Sequence, residues 1–250
     1  MNAEAQFAHH PAAQIPPDNT VIWRYFGMPK LISLFADHAL FFSRSDKLGD
    51  PFEGTFPVQN LNPSYESVAE VVGTHIAHVA GEKERLTQKF LNSVGELRPK
   101  TLINCWYASE HESAAMWGLY AREEGAACIK SSVGRLKYAL HHENAKSDVF
   151  VGSVRYIDYA AGEIPMTNLL HAFWTKRISF AQEHEVRAIL PEHLADVGML
   201  VDVHLETLVE AIYVSPTADS WIKELLEDIA ARYAIAAEIR RSSLGSDPIT

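Results

Sequence analysis

Apolar residues recur along this chain in short runs, and the period of each run predicts an element. Thr20 to Tyr25 is rich in β-branched and aromatic residues and predicts a first strand. A helix follows, with Pro29 in its first turn and Leu31, Leu34 and Phe35 at helical spacing up to His38. Ala39 to Ser43 predicts a second strand, and Asp46 to Gly54 a glycine- and proline-shaped loop. Tyr65 to Ala80 and Lys83 to Phe90 carry the helical period, with a break near Gly81. Leu102 to Tyr107 predicts a short buried strand, and Ser113 is an N-cap for a helix through Tyr120.

Beyond Gly125, strands are predicted at Ala127 to Lys130, Val149 to Tyr156, His184 to Leu190 and Leu208 to Val214. A helix capped by Ser220 runs to Tyr233, and a last strand lies near Ile235 to Ile239. There is no regular βαβ alternation and no Gly-rich phosphate loop after the first strand, which disfavours a doubly wound nucleotide fold. The expected class is α+β, a mixed or split β-sheet core with helical insertions. One domain is expected over residues 20–243, between flexible tails at 1–19 and 244–250.

Composition narrows the class of partner. The 22 Lys and Arg against 32 Asp and Glu give a formal net charge of −10 and no broad field for phosphate backbones, so nucleic acid is an unsupported partner. No apolar run approaches a membrane span, and no basic start precedes an apolar stretch, so a cytoplasmic protein without a membrane partner is expected. Two cysteines are too few for a disulfide scaffold. The 12 histidines, His75 and His78 among them, form no recognisable ligand pattern, so no metal is expected.

Five segments in order resemble the family catalogued as domain of unknown function 2971. They are Trp23 to Phe26; Leu40 to Ser43 with Asp50 to Gly54; Asn104 to Trp106 leading to Met116 to Tyr120; Val154 to Tyr156; and Lys176 leading to Glu183 to Arg187. The chain departs from that pattern at Gly49 and Val186. More distantly, the layout is similar to ADP-ribosyltransferases: a strand with a polar residue, a helix, a second strand ending in serine, and a late strand with Glu-x-Glu. That similarity implies NAD as a substrate and a role in bacterial defence or as a toxin.

The candidate chemistry follows the same residues. Glu183, Glu185 and Arg187 stand two apart in a segment with strand character, so all three are expected on one face. Like charges so placed need a cation or a ligand between them. The bland alternative is a solvated edge strand. In the catalytic alternative Glu185 stabilises an oxocarbenium-like charge and Glu183 orients the acceptor or acts as base. Arg24, on an apolar strand, needs an anion: Glu53 or Glu183, or a ligand phosphate. Tyr25 is a candidate for stacking on a ring, and Ser43 for a turn cap or a ribose contact. The transferase layout requires Arg24, Ser43 and Glu185 to converge in one concave site with Arg24 and Glu185 on a shared face.

Other features read as structure. Phe52 is expected to anchor its loop in the core while Asp50 caps it, and Met116, Trp117 and Tyr120 to pack as core beside Trp106. A Cys105 nucleophile with His111 as base is the weakest reading. Two functions therefore compete: an NAD-dependent ADP-ribosyltransferase or NAD glycohydrolase acting on an acceptor macromolecule, and a non-enzymatic nucleotide-sensing or interaction domain.

Overall fold

The structure is a computed structural model that describes residues 2–64, 70–71, 81–122, 125–142 and 145–246. The helix expected over Tyr65 to Ala80 lies almost wholly outside the described residues, as do His75 and His78.

The protein is α+β, with a mixed sheet organised around the strand Leu102–Ala108. In chain order the strands are β1 (Ala5–Ala8), β2 (Val21–Phe26), β3 (Ala39–Arg44), β4 (Leu102–Ala108), β5 (Ala127–Ser132), β6 (Ser147–Ser153), β7 (Arg155–Ile157), β8 (Thr175–Arg177), β9 (Glu185–Leu190), β10 (Gly198–Asp202), β11 (Ala211–Val214) and β12 (Glu238–Arg241). Among the described residues ten strands form one sheet in the order β1-β6-β9-β4-β2-β5-β11-β12, with β3 and β10 branching from β4. The short strands β7 and β8 pair in parallel beside it.

One edge of β4 pairs with β9 along its whole length, from Leu102 opposite Leu190 to Tyr107 opposite Glu185. The other edge is shared. Its late end takes β2, with Trp23 opposite Tyr107, and its early end takes β3, with Ser43 opposite Ile103. The sheet therefore splits between β2 and β3, as a split sheet was expected to do.

Helices cover both faces. Helix α1 (Met28–Asp37) buries Leu31, Leu34 and Phe35, has proline in its first turn, and ends at His38 in the left-handed region. On one face Ile22, Phe26, Trp106, Ile129, Val186 and Ala188 join the main core with residues of α1 and of the C-terminal helix Ser220–Arg232. The opposite face carries two smaller clusters: Ile103, Phe173, Trp174 and Ile189 under helix Glu82–Leu97, and Trp23, Trp117 and Cys128 under helix Ala114–Tyr120. The polar centre described below lies on this second face.

Some elements differ from expectation. Residues 5–8 form an edge strand of the sheet, not a tail: β1 pairs in parallel with β6 and Ala5 is fully buried. A strand of four residues gives too short an alternation to be legible. The expected strand Val149 to Tyr156 breaks in two at Val154, whose backbone N–H donates to the Glu185 carbonyl. Leu205–Leu208 is a helical turn ahead of β11, and Asp219 takes the cap position expected for Ser220.

Candidate functional site

Strand β9 is buried at all six positions, from Glu185 to Leu190, so both of its faces lie in protein. Antiparallel partners project to the same face, and successive residues to opposite faces. Glu185 and Arg187 therefore share a face with their β4 partners Tyr107 and Cys105. Glu183 is not in the strand. It ends the 3-10 turn Ile178–Glu183, and His184, with φ 39°, turns the chain into β9. The left-handed turn at His184 thus sits between the two carboxylates that meet at one place.

A network of ion pairs joins them. The Lys176 ammonium donates to Glu183 Oε2 and, at 2.6 Å, to Glu185 Oε1. Arg187 Nε donates to Glu185 Oε2 at 2.6 Å. The Arg187 fork continues to both oxygens of Glu53 and, at 2.8 Å, to the Phe173 carbonyl. Tyr120 Oη donates to Glu183 Oε1 at 2.9 Å, and the Glu185 backbone N–H donates to Tyr156 Oη at 2.8 Å. Glu183 and Glu185 are each 7% exposed and Arg187 is 0% exposed, whereas Tyr120 is 53% exposed and forms the rim. The solvated edge strand is thereby excluded: these charges are buried and compensated.

Three carboxylates against two cations leave one excess negative charge if all are ionised, and the two neighbouring glutamates divide the consequence unequally. Burial pushes the Glu185 carboxyl up, but the adjacent Arg187 guanidinium, then Glu183 and Lys176, overcome it and hold Glu185 well below the usual carboxylate range. Burial also pushes Glu183 up, and there Lys176 does not compensate for the neighbouring Glu185, so Glu183 stays above the usual range. Both tyrosines are neutral, Tyr120 as a donor to Glu183 and Tyr156 as an acceptor from the Glu185 N–H: burial and the glutamate charges raise both. One carboxylate is fixed as an anion and the other is able to hold a proton.

Arg24 is a correction. Being adjacent to Trp23, it projects to the face opposite Glu185, where it lies over the Phe26 and Trp106 rings at 5.5 and 5.9 Å. Its guanidinium donates to the Cys105 carbonyl at 3.0 Å. That bond spans the stretch of β4 left open between β2 and β3. Burial lowers its pKa to about 10. Among the described residues Glu53 and Glu183 bind other cations, so the expected anion partner is replaced by a backbone carbonyl and two aromatic faces.

Tyr25 and Ser43 do lie on the Glu185 face, without converging on it. The Tyr25 hydroxyl accepts from the Ser113 backbone N–H at 2.9 Å, and its ring meets Trp117 edge-on at 5.0 Å. It is committed to packing. Ser43 is opposite Ile103, whose β9 partner is Ile189, four residues from Glu185 and two strands away. Strand geometry then separates Ser43 and Glu185 by roughly 17 Å. Its hydroxyl is within 3.5 Å of the Arg44 carbonyl, a local contact.

The loop after β3 contributes what the sequence assigned elsewhere. Asp50 caps the Phe52 N–H at 3.0 Å and binds Arg177 at 2.7 Å, while Glu53 reaches inward to Arg187. Phe52 is not in the core; it is exposed and stacks on the Arg177 guanidinium at 4.4 Å. Lys176 and Arg177 alternate across β8, and Arg177 lines a separate recess of ≈ 380 Å³ with Phe52, Tyr159 and Ile178. Met116 and Trp117 are buried as expected, but Tyr120 turns to Glu183 and Trp106 belongs to the opposite face. Burial and the Glu185 charge push the Cys105 thiol far up, which argues against its use as a nucleophile.

Sequence reasoning missed Tyr120 as a partner of Glu183, and took Lys176 only as part of a motif. The available signal was the need for a cation between two carboxylates, which Lys176 satisfies. Among the described residues no group of three or more His, Cys, Asp or Glu is placed to hold a metal ion, and no helix is long and apolar enough to cross a membrane.

No family model matches the chain, and no curated protein matches it in sequence. The resemblance to the domain family described above therefore rests on its segments alone. In three dimensions the chain is similar to Thermus sp. 2.9 DarT in complex with carba-NAD+, with 10% identity, 93% of this chain and 100% of that chain covered, and a TM-score of 0.40.

Proposed function

We propose that the carboxylate centre binds the ribose end of a nicotinamide dinucleotide and that the protein is an NAD-dependent ADP-ribosyltransferase or NAD glycohydrolase, acting in bacterial defence or as a toxin. The layout argument that required Arg24, Ser43 and Glu185 to converge fails, because Arg24 lies on the face opposite Glu185 and Ser43 lies two strands away, so that layout lends this reading no support. What supports the reading in its revised form is the unequal pair: Glu185 held ionised by Arg187 and Lys176, and Glu183 next to it held above the usual carboxylate range. Two titratable groups whose environments push them apart are suited to different roles.

In this reading Glu185 faces the positive charge that develops at the ribose C1′ as the bond to the nicotinamide nitrogen breaks. Glu183 takes the proton of the incoming acceptor. Lys176 and Arg187 hold the two carboxylates through direct ion pairs, so little reorganisation is needed when charge appears. Arg24 and Tyr25 serve the split sheet and its packing.

A second reading has its own support. Both carboxylates already have cation partners, as in a structural ion-pair network, and that suits a domain that binds a nucleotide or a protein without chemistry. Purified protein incubated with NAD, with and without cell extract, separates the two through nicotinamide release. Release above the buffer control supports the enzyme. Saturable NAD binding with no release in either arm supports the sensor.

A further inference from the structure

Helix Ala114–Tyr120 delivers one side chain to the polar centre. Its last residue, Tyr120, is 53% exposed, yet its hydroxyl donates at 2.9 Å to the oxygen of Glu183 that Lys176 does not bind. The other oxygen, Oε2, accepts from Lys176, which in turn lies 2.6 Å from Glu185. Glu183 Oε1 is thus a carboxylate oxygen at the rim of a buried centre, adjacent to the fixed charge of Glu185, and already occupied by an O–H donor. Neutral phenol is the species present, since burial and Glu183 hold Tyr120 above its ordinary range.

We infer that the Tyr120 hydroxyl occupies the acceptor seat: the nucleophile of the proposed reaction is an alcohol or phenol oxygen, which displaces Tyr120 from Glu183 Oε1. This rests on the function proposed above and goes beyond it by assigning the acceptor class. In the step, the acceptor oxygen forms a bond to C1′ of the nicotinamide ribose as the C1′–N bond breaks. The electron pair of that bond neutralises the pyridinium, nicotinamide leaves, and the acceptor proton passes to Glu183. The O–H donor that already sits on Glu183 Oε1 marks the geometry that an incoming O–H donor would take there.

Tyr120→Phe tests this, because it keeps the ring and removes the competing donor. Nicotinamide release into water should rise by about threefold to tenfold, the factor expected when one competing hydrogen bond is removed. In the same variant, serine amide and tyrosine amide should become ADP-ribosylated in preference to agmatine or lysine amide, as followed by mass. Thermal melting beside unaltered protein checks folding. NAD cleavage that is unchanged or slower in a folded Tyr120→Phe, or a preference for agmatine, overturns the acceptor assignment while leaving NAD cleavage in place. No cleavage by either protein overturns both.

Discussion

The Lys176 ammonium lies 2.6 Å from Glu185 Oε1 while it also donates to Glu183, so one buried cation is shared by two carboxylates. Lys176→Met removes it without changing the bulk of the side chain. Two neighbouring glutamates would then face each other with only Arg187 beside them, and the loss should be about 3–5 kcal/mol at neutral pH, the usual cost of breaking a buried pair. Lys176→Arg should retain most of the stability. Urea midpoints of the three proteins check this, and a Lys176→Met midpoint equal to that of unaltered protein contradicts it.

The two glutamates should respond oppositely to pH. Glu183 is raised on folding, so its contribution to stability is fully present below the ordinary carboxylate range and is lost as pH rises through its raised value. Glu185 is depressed, so its contribution is present above the ordinary range and is lost as pH falls through its lowered value. Relative to unaltered protein, Glu183→Gln should therefore gain stability as pH rises, and Glu185→Gln should lose it. Denaturation midpoints across about pH 3 to pH 8 give both slopes. Equal slopes for the two variants would contradict the division of roles.

Gly54 fixes the loop that carries Glu53. Its φ is 65°, and a Cβ there would lie 2.5 Å from the Phe173 ring, whose own carbonyl accepts from Arg187. Gly54→Ala combines left-handed strain with overpacking and should cost about 2–4 kcal/mol. Thermal melting reads the loss directly. A cost below about 0.5 kcal/mol, the range of an ordinary surface change, would mean that the loop is not held as described.

Arg24 should behave as a structural residue. Arg24→Met removes the bond to the Cys105 carbonyl and two cation–π contacts, for a loss of about 1–3 kcal/mol. NAD turnover by the folded fraction should be unchanged. A large fall in turnover without loss of folding would restore Arg24 to the ligand site.

The fold was legible where periodicity was long and the site where charge was unusual. Helix Met28–Asp37 and strand Leu102–Ala108 follow their apolar periods, and Ser113 caps its helix as its type demands, accepting from the Met116 N–H at 3.4 Å. Strand β9 was legible as a strand, but the left-handed His184 that places Glu183 was not, because the enrichment of histidine at positive φ is too weak a local signal to single out one of 12 histidines. Alternation along β2 puts Arg24 on the face opposite Trp23 and Tyr25. Which face would meet Glu185 depends on the register Trp23–Tyr107–Glu185 across three strands, and no single segment encodes it. Tyr120 was hidden for the same reason: helical spacing groups it with Met116 and Trp117, while its hydroxyl answers to a carboxylate 63 positions away.

The central claim is that Glu185 is held as an anion for chemistry at a ribose carbon. Nicotinamide release from NAD by Glu185→Gln beside unaltered protein, with thermal melting to establish folding, measures this most directly. Glutamine keeps the volume and removes the charge, so release should fall by about 10²–10³, the loss typical of one preorganised electrostatic group. A folded Glu185→Gln protein that releases nicotinamide at the unaltered rate would contradict the account.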